Sequence, residues 1–399
     1  MVELLTMNKL RLLTPGPTSV PPEALLAMAR PVEHHRTAEF RAVFRQVTED
    51  LQYVFRTTGT VLTVTGSGTA AMEAGIVGVC PPDRRVLVAR GGKFGERWAQ
   101  VCEAHGIDHV NYDLEWGHGA KPDVVQQFLT EDPSIAAVII THSETSTAAV
   151  SDLEGIARVV REREQDVLLL VDGITSVGAL PVKTDAWGLD VVVTGSQKAL
   201  MLPPGLGFLA VSGRAWQRAE SFASGSFYLC PKAYRKSLAD DDTPYTPNNA
   251  LIHGLAVTLR MIREETIEGV WARTALLARA TRAAAEAMGL KVFATDPSDS
   301  VSALCVPDGI DEPALRTALK QRYGVHLAGG QGELKGKVIR ISHMGYVDVA
   351  DTLGAIGALE LVLADMGHGV KLGAGLAAAQ AVFSERACSP SGPDPSRSV

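Results

Sequence analysis

Short apolar runs that alternate with helix-like segments limit most strongly how this chain can fold. They occur between about Glu23 and Ser212, and polar or glycine-rich turns follow them. A strand that is apolar at every position needs cover on both faces, which a parallel sheet wrapped by helices provides. We therefore expect an α/β domain with a mostly parallel sheet. Its strands are predicted at 86–89, 136–140, 167–171 and 191–193, with a further strand at 208–212 returning along the sheet.

The second half of the chain has a different pattern. Residues 249–289 read as long helical structure, interrupted at Gly254, Arg260, Thr266 and Gly269, as expected for a connection between domains. A smaller α/β unit is predicted to follow, with strands at 301–306 and 338–342 and helices at 312–323 and 349–366. The predicted organisation is an arm at 1–20, a large domain at 21–255, a small domain at 256–370 and a partly disordered tail at 371–399.

Composition narrows the class of protein. The formal charge is −7, and we find no basic cluster interleaved with aromatic residues, which argues against a nucleic-acid or membrane-surface role. We identify no secretory signal and no apolar run near the roughly 20 residues that a membrane span needs. Five scattered cysteines without CxxC spacing predict a reducing, cytoplasmic setting and no metal site.

Two strand ends carry opposite charges. The apolar run 167–171 ends at Asp172, and the run 191–193 leads into the small-residue loop Thr194-Gly-Ser-Gln-Lys198. Pyridoxal phosphate (PLP) needs an amine that forms a Schiff base with its aldehyde and a carboxylate that keeps its ring nitrogen protonated. Lys198 and Asp172 are therefore the candidate catalytic residues.

The order of these pieces resembles the fold-type I, class V aminotransferases, in particular the serine/alanine–glyoxylate branch. The resemblance runs from Leu13-Thr-Pro-Gly-Pro17 to about Leu363, and includes Lys93-Phe-Gly-Glu-Arg-Trp98 and Thr141-His-Ser-Glu-Thr-Ser-Thr147. Some proteins of this branch are labelled soluble hydrogenase small subunit. The resemblance implies a large PLP-binding domain with a seven-stranded type of sheet, a smaller C-terminal domain and a homodimer.

The resemblance also implies roles for single residues. A turn that starts the helix after Val64 would bind the cofactor phosphate together with Gln197, and Phe94 would stack on the pyridine ring. Arg340, in the predicted strand 338–342, would hold the substrate carboxylate, since a guanidinium binds a carboxylate with two parallel hydrogen bonds. The other cofactor contacts implied are Ser67, Gly68, Thr69, Thr145, Ile174 and, from the neighbouring subunit, Thr246; Gly16 is implied at the substrate pocket.

Several alternatives stay open at this point. Gly66-x-Gly68-x-x-Ala71 is a weak dinucleotide fingerprint and keeps an NAD-dependent oxidoreductase as a distant hypothesis, although the next predicted strand leads into Arg90 where an acid is expected. A PLP-binding subunit of a soluble hydrogenase, without transaminase activity, is another. Thr243 could take the role of Thr246, and His142 and Glu144 are interpreted as loop groups. The expected reaction moves an amino group from serine or alanine to glyoxylate or pyruvate, with ureidoglycine as another donor.

Overall fold

The computed structural model describes residues 9–163 and 166–387. Its strands are β1 (Arg11–Leu12), β2 (Thr60–Gly66), β3 (Arg85–Arg90), β4 (His109–Asp113), β5 (Ile135–Thr141), β6 (Ser143–Glu144), β7 (Ala149–Val150), β8 (Leu168–Asp172), β9 (Val191–Gly195), β10 (Gly205–Val211), β11 (Val301–Cys305), β12 (Val325–His326), β13 (Ala328–Gly329) and β14 (Val338–Ser342).

Helices separate most of these strands. They are α1 (Pro22–Met28), α2 (Ala38–Phe55), α3 (Gly68–Val79), α4 (Lys93–Ala104), α5 (Pro122–Glu131), α6 (Leu153–Glu162), α7 (Thr184–Trp187), α8 (Gly213–Glu220), α9 (Pro231–Leu238), α10 (Asn249–Glu265), α11 (Ile267–Ala287), α12 (Glu312–Tyr323), α13 (Val349–Asp365) and α14 (Ala374–Ala387), with a 3₁₀ turn at Gly332–Leu334. Every one of these helices is too short or too polar to span a bilayer.

A seven-stranded sheet organises the first half of the chain. Its strand order is β2-β10-β9-β8-β5-β3-β4. All neighbours are parallel except β10, which runs antiparallel to both β2 and β9. The expected α/β fold, the mostly parallel sheet and the returning strand are thereby confirmed.

Helices cover both faces of this sheet and create two apolar cores. Strand β5 shows the division, because Val138 and Ile140 contribute to one core while Ala137 and Ile139 contribute to the other. Successive side chains of a strand point to opposite faces, so a run buried on both sides has no polar position. This explains why the strands read as continuous apolar runs.

The C-terminal part has its own core. A three-stranded antiparallel sheet of order β11-β14-β13 packs with α11, α12 and α13 around residues such as Leu277, Ile339 and Leu359. The predicted strand 338–342 and the helix 312–323 have the bounds that the sequence indicates. Residues 374–387 form α14, which packs against α11, so this part of the predicted tail is helical. The remainder, 388–399, and residues 1–8 of the arm lie outside the described residues.

The helical region 249–289 differs from its prediction. The chain breaks only at Thr266, which has a φ of +67° and separates α10 from α11, while Gly254, Arg260 and Gly269 lie inside helices. Glycine is accommodated at position 254 inside a helix because there is no room for a side chain: a Cβ at this position would lie 2.8 Å from Met28 and 2.9 Å from Leu202. The proposed domain limit at residue 255 stays a prediction. It falls within α10, whose Leu259 and Ile262 join the core of the large sheet.

Candidate active site

The candidate site lies where β5, β8 and β9 end. Asp172 is the last residue of β8, and Lys198 follows β9 in a turn. Both side chains are buried, with exposed fractions of 3% and 6%. Because β8 and β9 are adjacent and parallel, their carboxyl ends bring the acid and the amine to one edge of the sheet. The sequence-based expectation that these two groups share a site agrees with this arrangement.

The Lys198 amine sits against the N-terminal arm. Its Nζ donates a hydrogen bond to the backbone oxygen of Pro15 at 2.5 Å, and Thr18 Oγ1 donates to the backbone oxygen of Lys198 at 2.8 Å. Gly16 has a φ of +132°, and a Cβ there would lie 2.7 Å from Lys198 Nζ. Only glycine therefore fits this approach. Burial lowers the pKa of Lys198 to about 8, against the opposing charge of Asp172.

Asp172 is held by two donors from different elements. Trp98 Nε1 on α4 donates to one carboxylate oxygen at 3.0 Å, and the backbone N–H of Ile174 donates to the other at 3.0 Å. Burial raises the pKa of Asp172 to about 6, and these hydrogen bonds oppose that effect in part. A carboxylate this well oriented can hold a cationic ring nitrogen at a defined place.

Phe94 lies over the amine at the start of α4. Its ring centroid is 5.8 Å from Lys198 Nζ. The backbone N–H groups of Phe94 and Gly95 both donate to Glu144 Oε2, at 3.1 and 3.0 Å, while Ser146 donates to Glu144 Oε1 through its N–H at 2.9 Å and its hydroxyl at 2.6 Å. Glu144 therefore satisfies the first turn of α4 and fixes the position of the Phe94 ring.

The amino end of α3 forms a cup beside these groups. Ser67 is the N-terminal flanking residue of α3, and Gly68 and Thr69 begin its first turn. A Cβ on Gly68 would lie 2.8 Å from Ile174 Cδ1. Gln197 Oε1 is buried there without a hydrogen-bond partner among the described residues. Free backbone N–H groups, the helix dipole and this unpartnered amide together suit a phosphate group.

Arg340 reaches the site from the small sheet. It is the central residue of β14, with 5% of its surface exposed, and it donates to the backbone oxygens of Gly329 and Thr145 at 2.9 and 2.8 Å. Burial lowers the pKa of Arg340 to about 10, so the group stays charged at neutral pH. The two bonds orient the guanidinium and leave further N–H donors for a carboxylate.

Thr145 and Thr246 occupy very different positions. Thr145 is buried and its hydroxyl forms a hydrogen bond with that of Thr175, at 2.5 Å. Thr246 is exposed, and no hydrogen bond among the described residues joins it to the cup of α3. Thr243, the other candidate, is turned inward and donates to the backbone oxygen of Tyr245. The role of Thr246 at the phosphate therefore stays a prediction.

Sequence reasoning missed several neighbours of these groups. Trp98, Arg97 and Thr175 carry no signal of their own that would assign them a role, and the sequence alone indicates only a loop group for Glu144. The spacing gives a partial indication of a role, because Arg97 and Trp98 follow Phe94 by three and four positions and therefore share a face of α4 with it. Burial lowers the pKa of His142 to about 4, and its interpretation as a loop group stays a prediction.

The profile of the class V aminotransferases matches residues 14–351. The chain belongs to the class V aminotransferases. Membership identifies a PLP-dependent transaminase, as the sequence predicts. The alternative of an NAD-dependent oxidoreductase is not supported, and Arg90, at the end of β3, forms an ion pair with Asp113.

Similar proteins cover nearly the whole aminotransferase. A soluble hydrogenase 42 kDa subunit of Anabaena cylindrica is 44% identical, over 94% of this chain and 99% of its own. A serine–glyoxylate aminotransferase of Hyphomicrobium methylovorum is 37% identical, over 94% and 95%. Among solved structures, an aspartate aminotransferase of subgroup IV from Thermus thermophilus is 37% identical with a TM-score of 0.84, over 89% and 99%.

The residues present fit PLP. The buried amine of Lys198 and the buried carboxylate of Asp172 lie on the same edge of the sheet, with the Phe94 ring above the amine. The α3 cup contains the unpartnered oxygen of Gln197, whose amide can turn its N–H donors toward a phosphate. Amine, acid, aromatic ring and anion cup are the four features that the cofactor requires.

Proposed function

We propose that this aminotransferase transfers an amino group from serine or alanine to glyoxylate or pyruvate, with Lys198 and Asp172 as its catalytic residues. The observation that carries the proposal is the burial of Lys198, whose pKa is lowered to about 8, beside a buried Asp172 at adjacent strand ends. An amine with this pKa is neutral in an appreciable fraction of molecules near pH 8. It can therefore attack a carbonyl and accept or return a proton.

Bound PLP would supply an electron-withdrawing ring that stabilises negative charge at the substrate Cα. Asp172 would keep the ring nitrogen protonated, and Trp98 would hold Asp172 in place. Phe94 would confine the ring from one face, while Ser67, Gly68, Thr69 and Gln197 would hold the phosphate. Thr145 and Ile174 would line the ring edge.

Arg340 would bind the substrate α-carboxylate through the donors that Gly329 and Thr145 leave free. Fixing this carboxylate orients the Cα–H bond toward the Lys198 amine, so proton transfer becomes intramolecular. Gly16 would allow the chain to pass close to the amine. Serine and alanine are proposed as donors because one relative acts on serine and glyoxylate by its name, and this role for Arg340 requires only one substrate carboxylate.

We also propose a homodimer in which Thr246 of one subunit reaches the phosphate cup of the other. An exposed threonine without a local role is consistent with a contribution in trans. Phe227 and Tyr228 support an interface nearby, because Phe227 is 84% exposed and Tyr228 donates a hydrogen bond to the backbone oxygen of Thr65, in β2. Buried apolar area between subunits would stabilise such a contact.

Borohydride reduction tests the central assignment. Purified protein should absorb visible light, and reduction should attach the cofactor covalently to Lys198, as found by peptide mapping. An unmodified Lys198 peptide from a fully coloured and reduced sample would contradict the assignment. Bleaching of the colour by serine, alanine, aspartate and glutamate, each in a single turnover, then ranks the donors. A faster reaction with glutamate than with serine and alanine would contradict the proposed substrate class.

A further inference from the structure

The hairpin of β6 and β7 contacts both the aromatic ring and the arginine of the candidate site. Its two strands run antiparallel. Glu144 in β6 accepts hydrogen bonds from the backbone N–H groups of Phe94 and Gly95. The backbone oxygen of Thr145, in the turn of the hairpin, accepts a hydrogen bond from Arg340 Nη1 at 2.8 Å. A change in the orientation of this hairpin would therefore move the group that orients Arg340.

Strand β7 is attached through its backbone to the segment that leads into the small sheet. The N–H of Val150 donates to the backbone oxygen of Asp296 at 2.9 Å, and the N–H of Ser298 donates to the backbone oxygen of Ala148 at 2.8 Å. These two bonds lie along one line, so they fix the position of the hairpin better than its tilt about that line. A second line of attachment is needed to fix the tilt.

Strand β6 is attached to the same segment by three hydroxyl groups. Ser143 Oγ lies 2.8 Å from Ser298 Oγ and 3.0 Å from Ser300 Oγ, and the last two atoms are 2.9 Å apart. All three side chains are buried, with exposed fractions of 2% for Ser143 and 0% for the other two. Each hydroxyl can donate one hydrogen bond and accept another, so the triangle satisfies its three O–H groups. We call these three residues the serine clamp.

The serine clamp links both ends of the contact between Arg340 and Thr145. Ser143 lies two residues before Thr145 in the hairpin. Ser300 directly precedes β11, which pairs with β14 so that Ala303 lies opposite Arg340. The hairpin, β11 and β14 are thus joined in a closed ring of contacts, which the hydrogen bond from Arg340 to Thr145 completes. Loss of the clamp would loosen this ring and with it the orientation of the guanidinium.

We propose that Ser143, Ser298 and Ser300 are positioning residues, which hold the backbone oxygen of Thr145 where it orients Arg340 for the substrate carboxylate. The proposal rests on the proposed function, in which Arg340 binds that carboxylate, and names the residues that set its geometry. The serine hydroxyls are bonded to one another, so they act on the substrate only through Thr145 and Arg340. Their loss should weaken binding of the carboxylate and of no other part of the ligand.

Two amines that differ in the carboxylate measure this effect. Alanine and ethylamine, which lacks the carboxylate, are each mixed with the PLP form of wild type and of Ser143→Ala, and binding is followed by stopped-flow absorbance. Ser143→Ala removes two sides of the triangle and leaves Ser298 and Ser300 bonded to each other. The apparent Kd of alanine should rise about 3- to 10-fold, the range for one hydrogen bond of ordinary strength, and that of ethylamine should stay the same.

A double-mutant cycle with Arg340→Lys separates positioning from a general loss of stability. If the serines act through Arg340, Ser143→Ala should weaken alanine binding less than about twofold once residue 340 is lysine. Ser302→Ala is the matched control, because Ser302 is buried in β11 and its hydroxyl bonds to His343 Nε2 at 2.9 Å rather than to the hairpin. This variant should keep the wild-type ratio of the two Kd values.

A second variant protects the test against a failure to fold. Ser300→Ala also removes two sides of the triangle, from the side of the small sheet, and leaves Ser143 bonded to Ser298. It should reproduce the rise for alanine alone.

The outcomes separate the serine clamp from the proposed function. A rise for alanine alone that disappears in the Arg340→Lys background supports the positioning role. If Ser143→Ala and Ser300→Ala bind both amines as the wild type does, or weaken both equally, the positioning role is wrong. If Arg340→Lys itself fails to weaken alanine relative to ethylamine, the proposed role of Arg340 is wrong and that of the serines is wrong with it.

Discussion

Replacing Asp172 by asparagine should affect stability and chemistry in opposite ways. Burial raises the pKa of Asp172 in the folded apoenzyme to about 6, from an ordinary value of 3.8. The folded state therefore binds the proton more tightly than the unfolded chain, and ionisation opposes folding. The stability that the protonated acid provides is complete below pH 3.8 and is lost as the pH rises through about 6.

The size of this pH-dependent loss of stability follows from the two pKa values of Asp172. One pH unit corresponds to about 1.4 kcal/mol, so the full loss is about 3 kcal/mol, of which about 1.4 kcal/mol falls between pH 5 and 7.5. Asp172→Asn does not titrate and lacks this loss. Its side-chain amide offers one oxygen to the two donors of Trp98 and Ile174, so its NH₂ group must face the other N–H, which costs about 1 to 3 kcal/mol at every pH. Relative to wild type, the variant should thus gain about 1.4 kcal/mol across this pH window.

Urea denaturation of both apoenzymes at pH 5 and 7.5 measures this difference. Activity should fall by several powers of ten at either pH, because a neutral amide cannot hold the proton on the cofactor ring. Asp190→Asn is the control, since Asp190 is equally buried but accepts hydrogen bonds from Leu169 and Ser212 at the other end of β9. It should keep its chemistry once folded. Normal turnover of Asp172→Asn combined with lower stability at both pH values would refute the reasoning.

Three further results are expected. Glu144→Gln should lower the free energy of unfolding by about 2 to 4 kcal/mol, because the NH₂ group of the glutamine must face donors that the carboxylate now satisfies. The variant should also raise the Kd of PLP, because the Phe94 ring is displaced. Urea denaturation and cofactor titration measure the two effects, and an unchanged stability would contradict the capping role. Arg340→Lys should raise the Michaelis constants of donor and acceptor alike, since a point charge replaces a fork; an effect on one substrate alone would argue against binding of the shared α-carboxylate. Mixed dimers of Lys198→Ala and a deletion of the Thr246 loop should regain activity, because one of their two sites is intact; no recovery under proven subunit exchange would indicate sites complete within one chain.

Helix and strand positions near the site were accessible from the sequence because burial leaves a local pattern. The run 191–193 and its small-residue loop placed Lys198 at a strand end, and the run before Asp172 did the same for the acid. Helix α12 and strand β14 begin and end where their patterns indicate. The break at Thr266 and the helix α14 were harder, since both depend on packing against other helices rather than on local composition.

The sequence by itself determined the class of fold and the two groups of opposite charge at strand ends, because apolar periodicity and strand termini are properties of neighbouring residues. The tertiary structure alone decided which side chains meet: Trp98 binds Asp172, Glu144 binds the start of α4, and Arg340 binds Thr145 across 195 positions of the chain. Such pairs depend on strand order and on the docking of the small sheet, which no local pattern records.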